Sequence, residues 1–282
     1  MIRQDFRLQG PHGPLRGTVR YPQGLPPRTA VVVAHGFKGF QNWGFFPRLC
    51  SELARDGHAV ISFNFSGSGV GEDGETFTEL DRFAANTFSQ EVAELEWMIR
   101  RTHAGEVPGL PPRATARRVG LLGHSRGGGV AVLVAGSQST PVDALVTWAA
   151  VATFHRWPPE TLEAWRESGR SWVLNSRTGQ QLPLDLTLLH DLEENRDALD
   201  IQAAAAQVAV PWLVVHGQAD PTVLVQDAHR LIQASSLARP ALIEEAGHTF
   251  NAGHPLEEVP PELAAAVEVS RDHFRRHLGP ED

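Results

Sequence analysis

Val119-Gly120-Leu121-Leu122-Gly123-His124-Ser125-Arg126-Gly127-Gly128-Gly129 is the stretch that decides how this sequence is read. An apolar run ends in a glycine-flanked Ser125, and an Ala/Val-rich segment from Val130 to Ala135 follows at once. The pattern is strand, sharp turn, helix. A nucleophile on so tight a turn is held at a strained backbone angle with no room for side chains two residues to either side, and glycines at 123 and 127 leave that room. Ser125 Oγ is expected at the carboxyl end of the strand, in front of the positive end of the next helix. Any α/β protein could use a Gly/Ser-rich turn as a plain connector, so the spacing acquires chemical meaning only from the rest of the chain.

Working outward, the same alternation recurs. Asp5 to Gln9 and Leu15 to Tyr21, separated by Gly10-Pro11-His12-Gly13-Pro14, predict an antiparallel hairpin at a sheet edge. After a Pro/Gly-rich connection from Pro22 to Pro27, Ala30 to Ala34 is a β-branched run suited to a strand buried on both faces. An amphipathic segment follows from Phe45 to Arg55, then a strand at His58 to Phe65 and a helix around Glu91 to Arg101. Beyond the serine come strands at Ala144 to Ala149, Trp212 to His216 and Pro240 to Glu244, and a closing helix at Val259 to Leu278. Strand and helix in alternation predict an α/β fold with a mostly parallel, doubly wound sheet and helices on both faces.

Between Ala152 and Gln207 the rhythm breaks. Helical patterns at Pro159 to Ser168, Asp185 to Glu194 and Asp197 to Ala206 flank a hairpin pattern from Trp172 to Leu182 that turns near Thr178-Gly179. An excursion of that length predicts a compact cap or lid, residues 152–207, within a single domain of residues 1–282. Trp148, Trp157, Trp165 and Trp172 fall in it or at its edge, and with Phe154 they are candidates for an apolar, aromatic substrate wall. The same tryptophans could instead simply pack the insert together.

The 282 residues, 41% hydrophobic and 21% charged, fit a globular domain and exclude disordered, collagen-like and coiled-coil classes. A net charge of -8 argues against a nucleic-acid partner, which asks for a basic stripe to replace counterions. Cys50 is the only cysteine, so no intramolecular disulfide and no cysteine metal cluster can form, and its apolar surroundings predict a buried helix residue. Lys38 is the only lysine and so the only candidate for Schiff-base chemistry. No apolar signal region opens the sequence and no apolar run is long enough to span a membrane, which predicts a cytoplasmic protein with no membrane partner.

A serine hydroxyl needs a base to take its proton, and a histidine base needs an acid to hold its tautomer. Asp220, in His216-Gly217-Gln218-Ala219-Asp220-Pro221, follows the Trp212 strand; His248, in Ala246-Gly247-His248, follows the Pro240 strand. With Ser125 they all land at one edge of the sheet, where open α/β sheets bind ligands. Asp220 could be a plain Asp-Pro turn residue, and Asp227, the rival acid, reads as a solvated helix residue. His254 is the rival base, less favoured because it lies deeper in an irregular loop. For the oxyanion, the backbone amides of Phe37, in His35-Gly36-Phe37, and of Arg126 are the candidate donors. Gly69-Val70-Gly71-Glu72-Asp73-Gly74 is a literal G-x-G-x-x-G, but its acids would repel a pyrophosphate and no apolar helix follows, so a flexible surface loop is expected. No metal-ligand spacing occurs, and neither cofactor nor metal is expected.

His35-Gly36-Phe37, Phe65-Ser66-Gly67-Ser68-Gly69, Gly123-His124-Ser125-Arg126-Gly127-Gly128, His216-Gly217-Gln218-Ala219-Asp220 and Gly247-His248 resemble, in order, the motifs of the α/β-hydrolase family. More closely, the chain is similar to its bacterial cinnamoyl/feruloyl-esterase-like and dienelactone-hydrolase-like branch, which carries a compact insert after the fourth α/β strand of this reading. The resemblance implies hydrolysis of a small-molecule carboxylic ester, with aryl or short-to-medium acyl groups, by Ser125 as nucleophile, His248 as base and Asp220 as acid. Dienelactone hydrolases have a cysteine where Ser125 stands, and Arg126 replaces the glutamine or methionine of such esterases. A peptidase or amidase of the same fold, and a ligand-binding receptor with little turnover, are the alternative readings.

Overall fold

A computed structural model of the chain describes residues 1–24, 27–111 and 118–279. Positions 25 and 26 of the Pro22 to Pro27 connection lie outside the described residues. The hairpin forms as β1 (Ile2–Gln9) and β2 (Pro14–Tyr21), antiparallel and in register from Ile2 opposite Tyr21 to Gln9 opposite Pro14. The chain continues through β3 (Thr29–Ala34), α1 (Phe46–Arg55), β4 (Ala59–Asn64), α2 (Leu80–Ala84), α3 (Phe88–Ala104), β5 (Arg118–His124), α4 (Arg126–Ser137) and β6 (Ala144–Trp148). Next come α5 (Pro159–Ser168), a separate antiparallel hairpin of β7 (Arg170–Asn175) and β8 (Gln180–Asp185), α6 (Thr187–Glu194) and α7 (Ile201–Gln207). The chain closes with β9 (Trp212–Gly217), α8 (Val225–Ala234), β10 (Ala238–Ile243) and α9 (Pro261–Leu278).

Eight strands form one sheet in the order β1-β2-β4-β3-β5-β6-β9-β10. Everything from β4 to β10 is parallel, while β2 runs antiparallel to both its neighbours. The β-branched run of β3 is explained by its position: Val31 and Val33 pack with Leu49, Leu53 and Phe274 beneath α1 and α9, while Ala30, Val32 and Ala34 join the core on the opposite face. Cys50 is fully buried in the first of these layers, as its apolar setting predicts. α3 starts earlier than apolar periodicity alone suggests, because Thr87 and Gln90 make a reciprocal capping box that satisfies two of the first amides. Among the described residues no helix is long and apolar enough to cross a membrane.

Two expectations are corrected. The G-x-G-x-x-G segment is exposed only at its tip, Glu72 and Asp73; Val70 is buried, as are Ser66 and Ser68 just before the segment, and Gly71 N–H donates to Thr76 O at 2.8 Å. The amide of Ser66 donates to Glu94 at 2.9 Å, and burial pushes the Glu94 carboxyl up to about 7. Trp148 is not part of the aromatic substrate wall. It lies on the same face of β6 as Ala144 and Val146, fully buried, with Nε1–H donating to Ser270 Oγ at 2.8 Å.

Candidate active site

Ser125 sits between the last residue of β5 and the first of α4 with φ 56° and ψ -120°, a left-handed backbone that costs a non-glycine residue roughly 1–3 kcal/mol. The turn is over-determined by its neighbours. Ser125 N–H donates to Trp148 O at 2.8 Å, and Ser125 O accepts from the amides of Gly128, Gly129 and Val151. The flanking glycines are required by contact: a Cβ on Gly123 would lie 2.2 Å from Gly127 O, and one on Gly127 would lie 2.3 Å from His35 O. The turn thus presses against the loop after β3.

Asp220 and His248 follow β9 and β10 at the same sheet edge. Asp220 Oδ1 accepts from the amides of Thr222 at 2.8 Å and Val223 at 3.0 Å, while Oδ2 accepts from His248 Nδ1–H at 2.8 Å. Burial opposes the Asp220 charge, but the His248 hydrogen bond and these amides outweigh it and hold the carboxyl below its ordinary range. With Nδ1 donating, His248 Nε2 is left to accept, and it stands 3.0 Å from Ser125 Oγ. The structure therefore brings Ser125, His248 and Asp220 into one hydrogen-bonded chain.

Two more histidines brace this chain and were missed by sequence reasoning, although each stands in a motif. His124 Nε2–H donates to His248 O at 3.0 Å, and burial together with the His248 ring lowers its pKa to about 3. His216 Nε2–H donates to Val223 O at 2.8 Å and lies 3.6 Å from Asp220 Oδ2; burial lowers it as well. Both rings stay neutral, so neither competes for the Asp220 charge.

Neither rival joins this hydrogen-bonded chain, although His254 lines the same cavity. His254 Nδ1 accepts from Gly44 N–H at 2.9 Å, with its ring against Phe40 and Trp43, and it makes no bond to Ser125. Asp227 is no solvated helix residue: it is 5% exposed and accepts from Ala152 N–H at 3.2 Å, Arg156 at 3.0 Å and Arg230 at 3.0 Å. It anchors the chain leaving β6.

Phe37 and Arg126 flank Ser125. Arg126 is the first residue of α4, where an amide has no partner within the helix, and neither amide donates to a backbone carbonyl among the described residues. His35 fixes the first loop through Nδ1–H to Gly36 O at 2.9 Å, with Nε2 accepting from Phe65 N–H at 3.3 Å. Burial and the Arg126 charge lower the His35 pKa to about 4, so this bracing tautomer persists at neutral pH. The Arg126 guanidinium lies 3.9 Å over the Phe37 ring and 4.8 Å over Phe88, with Glu91 Oε1 at 3.4 Å. Among the described residues no group of three His, Cys, Asp or Glu side chains could hold a metal ion.

A cavity of about 640 Å³ opens over Ser125. Phe154 and Trp157 line it, with Trp43, Phe46, Phe88 and Val173 as further apolar wall. Trp165 and Trp172 do not. Trp165 is 1% exposed beneath Trp157, edge-on at 5.4 Å, and Trp172 is 56% exposed on the outer face of β7, opposite the inward-facing Val173. Alternation along β7 decides this, since side chains two apart share a face.

No curated protein sequence matches the chain. Among solved structures, the esterase domain of a Rhodothermus marinus protein is 21% identical with a TM-score of 0.67, over 99% of this chain and 100% of that one. Est1E from Butyrivibrio proteoclasticus, solved with ferulic acid bound, is 15% identical with a TM-score of 0.71, over 95% and 96%. Dienelactone hydrolase from Anabaena variabilis is 17% identical with a TM-score of 0.63, over 98% of each. These likenesses are of fold. A sequence model of the alpha/beta hydrolase family matches residues 31–266, the span from within β3 into α9 that carries the parallel strands and the loops of Ser125, Asp220 and His248, and this chain belongs to that family.

Proposed function

We propose that the protein hydrolyses carboxylic esters of small molecules through an acyl-enzyme on Ser125. The observation that carries this reading is the chain from Ser125 Oγ to His248 Nε2 (3.0 Å) and from His248 Nδ1 to Asp220 Oδ2 (2.8 Å) at the floor of the cavity. Ser125 Oγ attacks the ester carbonyl as its proton passes to His248 Nε2, and Asp220 stabilises the imidazolium that forms. The carbonyl oxygen, now negative, is received by the Phe37 and Arg126 amides. His248 gives its proton to the departing alcohol, then takes one from the water that releases the acid product and restores Ser125. The aromatic wall of Phe154 and Trp157 suits aryl or short-to-medium acyl groups.

Labelling by a fluorophosphonate probe, with hydrolysis of a panel of p-nitrophenyl esters, tests the reading. Ser125→Ala is expected to abolish labelling and to lower kcat by about 10⁶-fold while the fold remains. Turnover near the level of the parent protein would refute the assignment of Ser125.

A further inference from the structure

The wall of the cavity inverts the charge balance of the chain. Acidic residues outnumber basic ones 33 to 25 overall, yet the described cavity wall holds Lys38, Arg126, Arg156 and Arg177 and not one Asp or Glu. Two of these cations already have carboxylates behind the wall: Arg126 has Glu91 at 3.4 Å, and Arg156 has Asp227 at 3.0 Å. Lys38 and Arg177 have no carboxylate within ion-pair distance among the described residues. Lys38 Nζ donates to Leu174 O at 3.0 Å, and Arg177 Nη2 donates to Glu75 O at 3.5 Å, with its guanidinium 5.4 Å over Phe40. Glu75, whose carbonyl Arg177 holds, points its carboxylate at His254 Nε2, 3.8 Å away.

The two uncompensated cations are neighbours by construction. Lys38 leaves the loop that carries Phe37 and holds the carbonyl of Leu174, and Arg177 stands three residues further along the turn between β7 and β8. Lys38 is also partly desolvated, and burial lowers its pKa, so its ammonium lacks both a full water shell and a counter-charge. A cleft lined by one sign of charge between apolar walls concentrates ligands of the other sign.

We propose that the substrate ester carries an anionic group, which Lys38 and Arg177 hold at the mouth of the cavity while the ester carbonyl reaches Ser125. This deepens the ester-hydrolase reading and rests on it. The specificity would come from a lysine and a hairpin arginine 139 positions apart in sequence.

Two matched pairs of esters test it. The mono-p-nitrophenyl ester of glutaric acid against p-nitrophenyl pentanoate puts the charge on the acyl side; p-butyryloxybenzoate against p-butyryloxybenzamide puts it on the alcohol side. In one pair kcat/KM is expected to favour the anion by about tenfold or more at low salt, and the preference should shrink between about 20 mM and about 0.5 M NaCl as the charges are screened. Lys38→Gln with Arg177→Gln should abolish the preference. The ratio within each variant is read, so a general loss of activity cancels. Arg275→Gln, which removes a charge on α9, should keep it. A parent protein that turns over neutral esters with no preference in either pair overturns the proposal and leaves the ester reading standing; a preference that survives in the double variant overturns the assignment to Lys38 and Arg177. Calorimetric binding of the intact esters to Ser125→Ala makes the test independent of turnover: tighter binding of the anion supports the proposal, and equal binding overturns it even if no ester is ever cleaved.

Discussion

Lowering the pH from 7.5 to 5 is expected to bring this protein close to unfolding, and buried imidazoles are the cause. Burial lowers the pKa of His35, His58 and His273 to about 4 and of His124 to about 3. An unfolded ring titrates near 6.5, so through the window from about 6.5 down to about 4 the unfolded chain binds protons that the folded chain refuses, and stability falls as pH falls. At pH 5 each ring weakens the fold by about 2 kcal/mol relative to pH 7.5, about 8 kcal/mol for the four. Glu94 acts in the opposite sense: its folded carboxyl titrates at about 7, above its unfolded value, so protonation in the same window returns about 2 kcal/mol. Glu91, also raised by burial, works in that direction too. For the four rings and Glu94 together the loss is about 6 kcal/mol, against a total stability of about 5–15 kcal/mol for a folded protein. Urea unfolding followed by the fluorescence of the seven tryptophans at pH 7.5, 6 and 5 measures it. His58→Gln isolates one ring: His58 Nδ1 pairs with Thr29 Oγ1 at 2.7 Å far from Ser125, and the variant should lose about 2 kcal/mol of the pH dependence. A stability that stays within about 1 kcal/mol from pH 7.5 to 5 would refute the argument that these rings are held neutral.

Other consequences are open to direct measurement. Asp220→Asn should lower kcat by about 10⁴-fold by presenting the wrong histidine tautomer, whereas Asp227→Asn should lower Tm and cost activity less than about tenfold; the reverse order would move the acid to Asp227. Gly127→Ala should lose about 3 kcal/mol or more, seen in urea melts, because its Cβ meets backbone oxygens of His35 and Ala34 at 2.3 and 2.8 Å rather than a side chain that can swing away. Trp157→Ala should raise KM for bulky aryl esters more than for acetate esters, while Trp172→Ala, on the outer face, should leave both substrates and the Tm nearly unchanged. Uniform losses tracking Tm in Trp157→Ala would make that residue structural only.

The parts of the site legible in the sequence are those with a local cause. Ser125, Asp220 and His248 each follow a β-branched or apolar strand directly, and Gly123, Gly127, Gly217 and Gly247 punctuate the turns beside them. The sheet was legible for the same reason, since the runs at Ala30 and Trp212 are short, apolar and bounded by turn residues. What stayed hidden depends on which face a residue meets in three dimensions. Trp148, Trp165 and Trp172 look alike in the chain, yet one enters the core below the sheet, one lies beneath Trp157 and one faces solvent. Asp227 sits one helical turn from an exposed loop and reads as solvated because its partners, Ala152 and Arg156, are more than 70 positions away. The basic wall has no sequence signature at all: Lys38, Arg126, Arg156 and Arg177 come from four separate loops and helix ends.

The register of the sheet gives turnover a meaning in time. Ser125 follows β5 and is 123 positions from His248, and the two meet only because β9 pairs with β6 and β10 with β9, Trp148 opposite Val215 and Ile243 opposite Gly217. A chain that has assembled β1 through β6 would hold Ser125 and the Phe37 and Arg126 amides but would not yet have brought up His248 or Asp220. β9 must close the whole insert before it can pair with β6, and chain closure must come before the contacts that reward it, so this step is slow. On the proposed function, the first hydrolysed ester in a refolding experiment requires β10 to have docked, and activity serves as a clock for the completion of the sheet rather than for its beginning.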